Sequence, residues 1–202
     1  MFHAARGDPS PDAAEPNRDE TIAARIRIRQ ARAEDAMAVA QAHVRSWQVG
    51  YRGLIAQEYL DALDPVDRAK RYSFDRAGPH GPFTQVAVDG ETVCGHVTTG
   101  SCRDDDLQGD GETWAIYVDP PRWSAGIGRH LMAAGCDHLL SRGHTAASLW
   151  VLSGNSRARR FYELAGWDWD GTRRTDVIGS DTVDEVRYRR SLNTTAREPL
   201  SR

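Results

Sequence analysis

The hydrophobic positions follow two rhythms that alternate along the chain. In Glu112–Val118, ETWAIYV, residues Trp114, Ile116 and Val118 alternate with Thr113, Ala115 and Tyr117, and Pro120-Pro121 ends the run. That is the period of a strand. Glu112, its first residue, falls on the face of Trp114, Ile116 and Val118. After Gly126-Ile127-Gly128 the spacing becomes helical, with Ile127, Leu131, Ala134 and Leu139 on one side. Thr145–Val151 returns to strand, Ser156–Ala165 to helix, and 167–175 with 182–190 reads as a closing antiparallel pair.

The first half is similar. Ile26-Arg27-Ile28-Arg29 alternates and predicts the first strand. In Arg32–Val49 the stripe Ala36, Val39, Ala40, His43, Val44 and Trp47 predicts an amphipathic helix, broken by Gly50-Tyr51-Arg52-Gly53. A second helix is predicted over about Gln57–Leu63, and a third from Asp64-Pro65 to about Arg76. Gly78-Pro79-His80-Gly81-Pro82 is a turn-rich break. Phe83–Val88 and Thr92–Thr99 form a hairpin, with Asp89-Gly90 supplying the positive-φ turn. Gly100–Gly111 is a loop carrying Asp104-Asp105-Asp106, which reads first as solvated and second as an attractor for a cationic amine.

Composition narrows the class. A chain of 202 residues, 40% hydrophobic, suits one domain with a sizeable core. The Pro- and acid-rich start predicts a disordered tail over 1–24, a domain over 25–191 and a polar tail over 192–202. A net charge of -3 argues against nucleic acid and anionic membrane as partners. No apolar run approaches the ~18–20 residues of a membrane span, and the N-terminus lacks the apolar core of a secretory signal. Cys94, Cys102 and Cys136 are odd in number and form no Cys-x-x-Cys, which predicts reduced thiols in a cytoplasmic protein. His130 and His138 are too far apart for a one-face metal pair, so no metal is expected.

Chemistry concentrates where the central strand meets its helix. A glycine loop at a helix start offers unpaired N–H groups and the positive end of the dipole to an anion. Gly128 is followed by Arg129-His130, so this is no P-loop, and Leu131 stands where a dinucleotide fingerprint needs its third glycine. An ordinary helix start has the same spacing, and on these residues alone both readings stay open.

Downstream, NSRARRFYELAGW carries Asn155, Ala158, Phe161-Tyr162, Gly166 and Trp167 directly after a predicted strand. With the Gly126-Ile127-Gly128 segment in the right order, this resembles the acetyl-CoA-binding core of the GNAT superfamily of N-acetyltransferases. The resemblance covers roughly Ile26–Arg190. One departure is Trp123 where the family has Gln or Arg, with Arg122 one residue early.

The resemblance implies an α/β (mixed α+β) GNAT fold. Its mixed, mostly antiparallel sheet of about six or seven strands is flanked by helices and splayed between two central parallel strands. It implies acetyl-CoA as co-substrate, direct transfer to an amine, a small-molecule amine as partner, and a homodimer as an option. Backbone contacts to the pantetheine arm carry over to Ile116, Tyr117 and Val118. The pyrophosphate loop carries over to Ser124, Ala125, Gly126, Ile127, Gly128 and Arg129, and a pantetheine-side contact to Asn155. Tyr162 matches the tyrosine whose hydroxyl protonates the departing thiolate; a buried Tyr bonding a carbonyl is the alternative. Glu112 falls, counting back from the glycine loop, at the catalytic Glu of histone-type members; a rim carboxylate is the alternative. The base of the ribosomal-protein branch would stand at Trp150 and is absent. Trp47, Tyr51 and Arg52 flank the acceptor side, although Trp47 reads first as core. Arg157, Arg159 and Arg160 read as solvated, with the ribose 3′-phosphate of CoA as their second reading. A protein or peptide acetylase and a non-catalytic acyl-CoA-binding module are the alternatives, and the helix-rich insertion loosely resembles polyamine acetylases.

Overall fold

The computed structural model describes residues 25–74 and 81–192. Seven strands form one sheet in the order β1-β2-β3-β4-β5-β7-β6. They are β1 (Ile26–Gln30), β2 (Phe83–Asp89), β3 (Thr92–Ser101), β4 (Gly111–Val118), β5 (Ala146–Leu152), β6 (Asp168–Ile178) and β7 (Asp181–Ser191). The helices are α1 (Ala36–Gly50), α2 (Gln57–Asp61), α3 (Pro65–Ala69), α4 (Ile127–Ser141) and α5 (Ser156–Leu164). Both terminal tails lie outside the described residues, except that Leu192 is buried and its N–H bonds the Thr145 carbonyl at 2.8 Å.

All neighbouring strands are antiparallel except β4 and β5. Those two pair only at Gly111↔Ala147 and Glu112↔Ser148, then diverge. Beyond Glu112 the β4 edge has no strand beside it, so the sheet opens where a ligand backbone can be received.

Helices cover both faces, so the consecutive Val86, Ala87 and Val88 of β2 are all buried. Val86 and Val88 pack with Val39 of α1, whereas Ala87 packs on the other face with Ile127 and Leu131 of α4. The predicted hairpin forms, with Gly90 at φ 62°. The third helix stops at Ala69, well short of Arg76, and residues 75–80, with most of the predicted turn-rich break, lie outside the described residues. Asp64 caps it by accepting from the Val66 N–H at 2.8 Å.

Two expectations are corrected here. The acidic triplet is exposed at Asp105 and Asp106, as expected, yet it already holds a cation of its own: Arg187, 4% exposed, bonds Asp104 and Asp106, and also Asp170. Trp150 donates to Asp104 as well, at 3.0 Å. Burial of a guanidinium demands such partners, and β7 delivers it beneath the loop.

The second correction concerns β4. Its register against β3 slips so that Thr98 faces Ala115 while Thr99 faces Thr113, which makes Trp114 an extra residue. A bulge of this kind reverses the alternation beyond it. Gly111 faces Leu139 of α4, so Glu112 points to the α1 face. Ile116 and Val118 nevertheless pack with Ile127 and Leu131 of α4, and Tyr117 packs at a tilt against His43 of α1, ring centroids 4.4 Å apart. Glu112 therefore shares its face with Tyr117, not with Ile116 and Val118.

Candidate active site

The opening between β4 and β5 deepens into a cavity of about 740 Å³ that brings nearly all the predicted site residues together. Ile116, Tyr117 and Val118 form one wall, Ser124 and Gly126 to Arg129 one end, and Asn155 and Tyr162 the facing wall from α5. Trp47, Tyr51 and Glu112 line it too. Ala125 and Arg52 do not: Ala125 is buried in the core beside Ile127, and Arg52 is exposed in the turn after α1, bridged to Ile55.

The loop entering α4 is built for an anion. Ser124 and Gly126 both adopt positive φ, 69° and 79°. Gly126 is the N-cap and supplies no side-chain cap. Among the described residues, no hydrogen bond uses the N–H groups of Ser124, Ala125, Gly126, Ile127 or Gly128 as donors. Five successive amides are thus left for a ligand at the positive end of a 15-residue helix. Asn155 caps α5 by accepting from the Ala158 N–H at 3.1 Å, which occupies its carbonyl oxygen and leaves its amide NH2 to donate. The Val118 carbonyl is also engaged, receiving Ser46 Oγ at 2.7 Å and Trp123 Nε1 at 2.6 Å.

At the centre, Tyr162 is buried on α5, and desolvation first, then the nearby Tyr117, pushes its phenol well above the ordinary value. It stays protonated at neutral pH and can act as a donor. Tyr117 and Tyr51 are raised as well, burial being the leading cause in each case. Glu112 is 2% exposed, and its carboxylate is held by Arg103: Nε and the backbone N–H each reach Oε2 at 3.0 Å, and the second arm of the guanidinium reaches Oε1 at 2.5 Å. Sequence reasoning missed Arg103, because a loop arginine carries no periodic signal.

Beyond Tyr51 the cavity ends against Arg174, Asp176, Ile178 and Glu185 of the β6–β7 hairpin. Arg174 pairs with Glu185 at 2.7 Å and lies over the Trp150 ring, 4.1 Å from its centroid. These residues were also missed, since strand composition does not say which face meets a pocket. Among the described residues, no three His, Cys, Asp or Glu side chains are grouped to hold a metal ion.

The acetyltransferase (GNAT) family model matches residues 43–167. An uncharacterized N-acetyltransferase, YuaI, of Bacillus subtilis is 31% identical over 64% of this chain and 73% of its own length. A mycothiol acetyltransferase of Nocardiopsis dassonvillei is 30% identical over 88% of this chain but 52% of its own, so the chain spans about half of that relative. The fold matches an acetyltransferase, yncA, of Salmonella typhimurium solved with acetyl-CoA, with TM-score 0.62, 19% identity and coverage of 88% and 99% of the two chains. It also matches the PaiA N-acetyltransferase of Thermoplasma acidophilum solved with coenzyme A, with TM-score 0.58, 20% identity and coverage of 79% and 97%. The chain belongs to the GNAT family of acetyltransferases. It is an acyltransferase whose co-substrate is acetyl-CoA, and the unpaired amides of 124–128 fit that co-substrate's pyrophosphate. No helix among the described residues is long and apolar enough to cross a membrane.

Proposed function

We propose that the protein acetylates the primary amine of a small molecule, such as a polyamine, an amino acid or an antibiotic-like amine. One observation carries this reading: at the acceptor end, the elements that wall the cavity pack on each other. The segment after α1 packs directly on the β6–β7 hairpin, with Leu54 and Tyr59 joining Leu60, Leu152 and Val183 in one apolar cluster. The Ala56 N–H bonds the Asp181 carboxylate, and Tyr59 lies so close to Gly179 that a Cβ there would overlap its ring. An extended peptide needs an open trough, whereas this end suits a compact acceptor against Trp47, Tyr51 and Tyr117.

The chain's own residues supply the steps. An alkyl amine of pKa ~10.4 is neutral in only about one molecule in 2,500 at pH 7, so a proton must be removed before attack. Glu112 is the proposed acceptor of that proton, on the same face as Tyr117. Taking it means giving up bonds to Arg103, whose half-exposed guanidinium can turn outward. Tyr162 is the proposed acid that returns a proton to the leaving thiolate. The amides of 124–128 hold the pyrophosphate, and the open β4 edge at Ile116 and Tyr117 and the free Asn155 amide receive the pantetheine arm.

Thiol release from acetyl-CoA across an amine panel tests the proposal. The panel includes the acceptor of mycothiol acetyltransferases and N-terminal peptides. Turnover with one small-amine class is the expected result. Turnover confined to peptides, or tight CoA binding with no turnover, overturns it in favour of a protein acetylase or a binding module.

A further inference from the structure

Trp123, from the loop after β4, and Arg157, from α5, meet at the cavity. The Arg157 guanidinium carbon lies 3.6 Å from the Trp123 ring centroid. Both side chains line the cavity. The indole is fixed on its other edges: its N–H donates to the Val118 carbonyl, and its far ring lies against Gly50 at the end of α1, 3.8 Å from where a Cβ would stand. Trp123 is therefore a rigid platform at the end of β4, one residue before the five unpaired amides.

Arg157 is the charged half. It stands in the first turn of α5, one turn before Phe161, whose ring touches Gly128 at the start of α4. That spacing directs Arg157 toward the amide loop. Its neighbours have committed partners: Arg122 pairs with Asp89 at 2.9 Å, and Arg159 donates to Tyr188 and the Ser153 carbonyl. Among the described residues Arg157 has no carboxylate partner. Partial burial lowers its pKa, with no acidic group compensating. It is a cation resting on an aromatic face beside an anion site.

We propose that Arg157 grips the diphosphate bridge of coenzyme A from the side opposite the amides, and that Trp123 is the rest platform that keeps its guanidinium poised there. A planar fork suits bidentate phosphate binding, and a flat aromatic face holds such a fork without satisfying its N–H donors. Binding then exchanges a stacking contact for charge-assisted hydrogen bonds. The proposal rests on the acetyl-CoA reading and adds the residue that selects for the diphosphate.

Calorimetry with coenzyme A, dephospho-coenzyme A and acetyl-pantetheine tests it. Arg157→Ala is expected to weaken coenzyme A and dephospho-coenzyme A by the same factor, on the order of tenfold, and to leave acetyl-pantetheine unchanged. Arg157→Lys recovers part of the loss, and Arg157→Ala shallows the salt dependence of binding. Trp123 emission changes on adding coenzyme A to the wild type, and that component vanishes in Trp123→Phe. Equal loss for acetyl-pantetheine, loss for coenzyme A alone, or affinity within twofold of wild type overturns the proposal. If wild-type protein binds none of the three, the acetyl-CoA reading itself fails.

Discussion

Phe161 lies against Gly128 with no room to spare: a Cβ on Gly128 would stand 3.3 Å from its ring. The contact joins the start of α4 to the helix that carries Tyr162, so the anion loop and the proposed acid are held as one unit. Gly128→Ala needs a shift of a few tenths of an ångström and is expected to fold with a raised KM for acetyl-CoA. Gly128→Val is expected to lose acetyl-CoA binding by more than tenfold and to lower Tm by several degrees. Wild-type KM in the valine variant would remove the glycine from the site.

Tyr162→Phe deletes one oxygen from a buried wall. Turnover is expected to fall about 10²-fold, as for loss of a positioned general acid, with coenzyme A affinity within twofold of wild type. Wild-type turnover sinks the acid assignment. Equal loss of binding would make the hydroxyl a structural group.

Glu112 and Arg103 are best tested together. Glu112→Gln is expected to cut kcat at least tenfold, while Arg103→Ala, which frees the carboxylate, retains or raises it. A double-mutant cycle read on urea stability separates the ion pair from the chemistry. If both variants merely lose stability and keep kcat, the pair is scaffolding and water takes the proton.

The buried histidines set an acid limit on the fold. His43 and His96 stack with centroids 5.9 Å apart, and burial first, then Arg68, pushes them down to about 2 and about 3. Folded, both stay neutral, whereas the unfolded chain takes up protons below about pH 6.5. Stability is therefore full above that value and lost as pH falls. At pH 5.5 each histidine costs about 1.4 kcal/mol, and the pair about 3 kcal/mol. Urea midpoints between pH 7.5 and 5 check this, and His96→Gln should flatten the curve. An unchanged slope in that variant would assign the acid sensitivity elsewhere.

Arg187 anchors the acidic loop. Arg187→Met leaves Asp104, Asp106 and Asp170 without their shared cation and is expected to cost about 3–5 kcal/mol of unfolding free energy. A loss under 1 kcal/mol would return the triplet to a solvated loop.

Much of this was legible in one dimension, because local order is periodic. The run ETWAIYV, the glycine loop and the Asn155–Trp167 motif lie in contiguous segments whose spacing names both the elements and the family. The proposed backbone function is legible for the same reason: the proposed pyrophosphate amides of 124–128 depend on conformation, and glycines announce it. Tertiary structure alone decided which faces meet. The bulge at Trp114 depends on how β4 registers against β3, and it moves Tyr117 to the side of Glu112 and α1. Arg103 on Glu112, Arg187 beneath the acidic loop and Arg157 on Trp123 pair residues 9, 81 or more, and 34 positions apart. A long side chain chooses its partner through the fold that brings the two together, and no local period records that choice.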